Sequence, residues 1–170
     1  MKRSPKQNLE LKGGESKIRF APRNQICLVL DNIRSMHNVG AIFRTADGAG
    51  IESIYLCGIT ACPPRHQILK TSLGAEAHMD WKYYKSSLRL VKILKAKGYR
   101  IVSLEQTYTS IDYKLASYEK PLAIILGNEI EGVRNEVLAE SHQVVEIPMK
   151  GIANSLNVAT SAGIILYHLI

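Results

Sequence analysis

The sequence predicts an α/β fold built on a mainly parallel sheet flanked by helices. Two observations carry this. From residue 25 onward, short apolar runs of strand length alternate with segments of helical character. Several of those runs are continuously apolar instead of alternating, as expected of strands buried on both faces. A chain of 170 residues favours one domain with a real core.

The elements follow in order. "ICLVLD" (26–31) reads as a strand, and residues 38–49 as a helix with Asn38 as a natural N-cap. "SIYLCG" (53–58) is a second strand. "CPPRHQILKTSLGAEAH" is a loop with a helical turn or two, and "MDWKYY" (79–84) a short strand. Residues 86–98 form an amphipathic helix: Leu90, Val91 and Leu94 face inward, Arg89, Lys92 and Lys95 outward, and Gly98 stops it. Strands are expected at 99–106, 121–129 and 143–149, the second with the strongest pattern. A short helix at 134–141 and a terminal helix at 155–170 complete the set. Residues 1–24 read as a flexible basic leader and 25–170 as the folded domain.

Composition narrows the class. The chain is 46% apolar and 22% charged, ordinary values for a soluble globular protein. No apolar run approaches the ~20 residues of a membrane span, so no membrane partner is expected. The N-terminus lacks the apolar core of a signal peptide, and a cytoplasmic location is the default. The cysteines (Cys27, Cys57 and Cys62) form no CxxC pair. Cys62 and His66 have no second ligand pair nearby, so no metal is expected. The net charge is +7. Residues 1–24 hold seven Lys/Arg against Glu10 and Glu15, and residues 82–100 form a second basic group. This charge suits a polyanion such as RNA or DNA, or else a solvated surface.

In open α/β sheets ligands sit beyond the C-terminal ends of the strands. Three loops lie there. In the first, Gly40, Arg44 and Asp47 share one side of the helix that follows. Arg44 reads either as a surface ion pair with Asp47 or as a phosphate grip, with Gly40 clearing the approach. The second, "LGNEIEGV", places Glu129 at a strand end between Gly127 and Gly132, which permit a tight turn or close approach of a ligand. The third, "IPMKGIANSLNVATSAG", clusters Asn154, Ser155 and Asn157 at a helix head, more polar groups than capping alone needs. No dinucleotide or P-loop fingerprint accompanies them.

Taken together, "NVGAIFRTA" (38–46), "LGNEIEG" (126–132) and "IPMKGIANSLNVATSA" (147–162) resemble, in order and spacing, the three motifs of the SPOUT superfamily of RNA methyltransferases, in its SpoU (TrmH-like) branch. The resemblance covers about residues 25–170. It implies a deep C-terminal trefoil knot, which pattern reasoning alone would exclude. It also implies a homodimer through the knotted region, with each site completed across the interface. It implies S-adenosylmethionine as cofactor, lying against Leu104, Gly127, Ile147, Met149 and Leu156. It implies methyl transfer to a ribose 2′-hydroxyl of tRNA or rRNA, with tRNA slightly favoured. Asn38, Arg44, Glu129, Ser155 and Asn157 match the family's functional polar positions, the arginine being its key catalytic residue. The alternatives are a base methyltransferase of the same fold and a non-catalytic RNA-binding module.

Overall fold

The structure, a computed structural model, describes residues 23–170. Of the basic leader expected at 1–24, residues 1–22 lie outside the described residues, and Asn24 opens the first strand. Among these residues seven strands form one sheet: β1 (Asn24–Asp31), β2 (Ile51–Cys57), β3 (Asp80–Tyr84), β4 (Arg100–Leu104), β5 (Ile111–Asp112), β6 (Leu122–Leu126) and β7 (Gln143–Glu146). Their spatial order is β3-β2-β1-β6-β4-β7-β5, and every pairing is parallel. The α-helices among the described residues are α1 (Met36–Ala49), α2 (His66–Ser72), α3 (Ser87–Ala96), α4 (Asn135–Leu138) and α5 (Val158–His168). No helix among the described residues is long and apolar enough to cross a membrane.

The continuous apolar runs have the burial they imply. Within β1, Ile26, Leu28 and Leu30 pack on one face with Val39, Ile42, Phe43 and Ala46 of α1 and with Ala162, Ile165 and Leu166 of α5. Cys27 and Val29, one residue out of phase, pack on the other face with Leu90, Val91 and Leu94 of α3. Leu28 sits between Ile54 of β2 and Ile124 of β6. Burial pushes the Cys57 thiol up to about 12, the buried Asp31 adding to it, and pushes Cys27 upward as well. Both are protonated core thiols at neutral pH.

Several boundaries differ from the sequence reading. The N-cap of α1 is Ser35, not Asn38: its hydroxyl accepts from the Asn38 N–H, and the helix starts at Met36. Strand β6 ends at Leu126, so Glu129 stands in the loop beyond it. Strand β7 ends at Glu146, before Pro148. Helix α5 starts only at Val158, leaving Asn154 and Ser155 in an irregular segment. The two-residue β5 carries too little pattern to be seen in a sequence. Beyond β7 the apolar residues 147–149 run past the last residue that finds a ladder partner.

Gly40 does not clear a path to Arg44. It is buried, and a Cβ there would collide with the Ile68 carbonyl oxygen and the Thr71 hydroxyl. Its missing side chain lets α2 cross α1 at backbone contact, and the Thr71 hydroxyl donates to the His37 carbonyl at 3.0 Å. Nor does Arg44 pair with Asp47: neither residue belongs to an ion pair among the described residues.

On the opposite face, Arg134 reaches the C-terminal end of β1. It donates to the carboxylate of Asp31, which is 1% exposed, through Nε and Nη2 at 3.4 Å, and to the buried Ser87 hydroxyl at 2.7 Å. This pair ties the loop after β6 to the end of β1. Replacing Arg134 by Leu leaves that carboxylate without its charge partner, and a loss of about 3 kcal/mol is expected. Gly40→Ala forces α1 and α2 apart and is expected to lose about 1–3 kcal/mol. Denaturant unfolding checks both, and an unchanged midpoint for either variant would refute its assignment.

Candidate active site

The C-terminal ends of β1, β4, β6 and β7 lie at one edge of the sheet, in register at Leu104↔Leu126 and Leu104↔Val145. The chain runs β1-β2-β3 outward on one side, then crosses to β4, and β6 fills the gap between β1 and β4. A cleft of about 480 Å³ opens at this crossover, as the topology favours. Its walls include Leu104, Gly127, Ile147, Met149 and Leu156, all five residues assigned to the cofactor by sequence. Glu129, Ser155 and Asn157 line it too. Asn38 and Arg44 do not.

Asn38 is nonetheless wired to the cleft. The Glu129 carboxylate accepts three hydrogen bonds: from the Arg34 N–H at 2.9 Å, the Ser35 N–H at 3.0 Å and the Asn38 amide at 2.9 Å. The Asn38 Oδ1 accepts in turn from the Asn157 amide at 3.1 Å. Asn157 is the N-cap of α5, its Oδ1 accepting from the Ala159 N–H at 2.9 Å. One chain of hydrogen bonds therefore joins the loops after β1, β6 and β7. Desolvation raises the Glu129 carboxyl, but its three hydrogen-bond donors outweigh that and leave its pKa below the usual carboxylate range.

The glycines of the second loop serve the loop itself. A Cβ at Gly127 would strike the backbone of Gly132 and Val133. Gly132, at φ +69°, closes a tight turn by a two-way backbone pairing with Asn128. The close approach is of chain to chain. Arg44, by contrast, is exposed on α1 and makes no side-chain hydrogen bond among the described residues.

Sequence reasoning missed two positioning residues. Asn128 donates to the Asn32 carbonyl at 2.7 Å and accepts from the N–H groups of Ile130 and Glu131. Glu105 accepts from the Val133 N–H at 2.8 Å and from the Gln106 N–H at 2.8 Å. Asn128 lies inside "LGNEIEG", and its amide-rich turn was the available signal. Glu105 carried none, because its partner lies 28 residues away. Among the lining residues are four carboxylates (Glu105, Glu129, Glu131 and Glu146) and no lysine or arginine.

The profile of the SpoU rRNA methylase family matches residues 25–167. The chain belongs to this family. Relatives of the SpoU chain include a tRNA (guanosine(18)-2′-O)-methyltransferase of Aquifex aeolicus. It is 30% identical over 147 residues, which cover 86% of this chain and 69% of that protein. A TrmH family relative in Staphylococcus saprophyticus is 31% identical over 141 residues, and the match spans only 56% of its length. Among solved structures, the Aquifex aeolicus TrmH/SpoU tRNA modifying enzyme superposes with a TM-score of 0.82 at 27% identity, covering 90% of this chain and 79% of that one. An AdoMet-bound rRNA methyltransferase from Sinorhizobium meliloti superposes at 0.80 with 28% identity, covering 89% of this chain and 58% of that one. These SpoU relatives share the parallel sheet described above.

The Glu129 contacts set a sign for pH dependence. A carboxyl whose folded pKa lies below its unfolded value, about 4.3, contributes stability that is complete above the unfolded value and is lost as pH falls through the folded one. Glu129→Gln is expected to be less stable than the wild type by about 1 kcal/mol at pH 7, since the carboxylate is part-solvated. The gap should close below about pH 4. Thermal unfolding against pH checks this, and a gap independent of pH would contradict it.

Proposed function

We propose that the chain is an S-adenosylmethionine-dependent RNA methyltransferase acting on a ribose 2′-hydroxyl of tRNA or rRNA, tRNA being favoured. The observation that carries the reading is the cleft at the crossover, closed by the Glu129–Asn38–Asn157 chain. The names of the relatives support it. The cleft also fits the cofactor chemically. Its apolar wall of Leu104, Ile147, Met149 and Leu156 suits a purine ring, and its four carboxylates suit a sulfonium cation. Bound there, S-adenosylmethionine would supply an activated methyl group.

The protein's remaining task is to orient the 2′-oxygen and to favour loss of its proton. Ser155 and Asn157 would hold the ribose and the loop, while Glu129 would hold Asn38. Arg44 would grip the phosphate beside the target ribose and stabilise the forming oxyanion. A guanidinium offers hydrogen-bond donors and no acceptor, so electrostatic positioning suits it better than proton abstraction.

Arg44 lies off the cleft of its own chain. This supports a homodimer in which each arginine serves the partner's cleft. We also propose the C-terminal trefoil knot. The contact of the Gln106 amide with the Asn154 carbonyl, 3.0 Å, supports it by setting the last segment against the end of β4.

Arg44→Ala is expected to reduce methyl transfer by about 10²–10³-fold, with cofactor affinity unchanged by calorimetry. Retained turnover would remove Arg44 from catalysis, and lost cofactor binding would move it to the cofactor site. Alkaline digestion of the methylated RNA separates ribose from base chemistry, because a 2′-O-methyl group blocks cleavage at its own linkage.

A further inference from the structure

The two basic regions of the sequence are not equivalent in the fold. On α3, Lys92 and Lys95 are both held by the Glu140 carboxylate, at 3.6 and 3.2 Å, and Arg100 beyond it pairs with Glu119 at 3.6 Å. These three cations already have carboxylate partners and gain less from a polyanion, whereas Lys82, Lys85, Arg89 and Lys97 of the same region are exposed and belong to no ion pair among the described residues. Arg34, Arg44, Arg65 and Lys70 stand on or beside α1 and α2. All four are exposed, and none belongs to an ion pair among the described residues. Arg34 adjoins the first turn of α1, and its N–H is held by Glu129 at the cleft. Arg65 caps α2 and Lys70 lies on it. Because Gly40 lets α2 seat on α1 at backbone contact, Arg65 and Lys70 are carried on an element packed against the helix of Arg44. Two carboxylates share the region. Asp47 is exposed one turn beyond Arg44, and Glu76 is bonded to the Ser72 hydroxyl. The cleft itself is lined by carboxylates and repels phosphate.

From this we infer that the α1–α2 crossing, and not the paired lysines of α3, is a phosphate-binding surface of the catalytic domain, with Arg65 and Lys70 contacting the RNA backbone that Arg44 leads toward the partner's cleft. The inference rests on the RNA-methylating reading above. Lysine and arginine supply affinity to phosphates without reading sequence, so the surface acts on binding and not on the choice of base.

The full chain tests this by fluorescence anisotropy with a tRNA transcript over a salt series, with calorimetric binding of S-adenosylmethionine as the folding control. Arg65→Glu with Lys70→Glu is expected to weaken RNA binding by about tenfold or more and to reduce the salt slope by about 2, two phosphate contacts being lost. Cofactor binding should be unchanged. Lys92→Glu with Lys95→Glu should change RNA affinity far less. An α3 variant that loses more affinity than the α2 variant would overturn the inference alone, as would an α2 variant that binds RNA normally. A wild-type chain that binds the cofactor but no tRNA or rRNA would overturn both the inference and the reading beneath it.

Discussion

The architecture of the site depends on one carboxylate. Glu129 accepts from two backbone N–H groups of the loop after β1 and from the amide of Asn38. Parallel strands end in loops that have no partner strand to order them, and three such loops meet here. A carboxylate offers several acceptor positions, so one side chain can satisfy donors from a loop and a helix at once. Asn38 then passes the constraint to Asn157, and through that cap to α5. The loops after β1, β6 and β7 are thereby fixed relative to one another by groups far apart in the chain.

Charge is divided in space. The cleft gathers four carboxylates and no basic residue, whereas exposed cations stand on α1, α2 and the loop before α1. A small cation and a polyanion would each meet the field that suits it, without competing for the same groups. The net charge of the whole chain, +7, conceals this division entirely.

The parts of the fold legible in the sequence were those set by local physics. Continuous apolar runs such as 26–30 and 122–126 became central strands because nothing but a two-sided core can cover them. The inward stripe Leu90, Val91 and Leu94 was read correctly from helical period alone. The errors had a common source. Asn38 looked like a cap because its residue type favours one, but Ser35 took that place and freed the Asn38 amide for Glu129. Gly40 looked like open space beside Arg44, but the space is filled by α2. A glycine in a sequence announces that something comes close without saying what.

The sequence by itself determined where the longer strands and helices lie and which of their faces are apolar, because these follow from residue type and period. Its second and third motifs also marked residues of the cleft. Only the tertiary structure decided how those motifs are joined. The partners of Glu129 lie more than 90 residues away, the ion partner of Asp31 is Arg134, and the lysines of α3 are matched by Glu140. Hydrogen bonds and ion pairs act through space over about 3–4 Å, and no local pattern records which distant residue the fold will bring within that range.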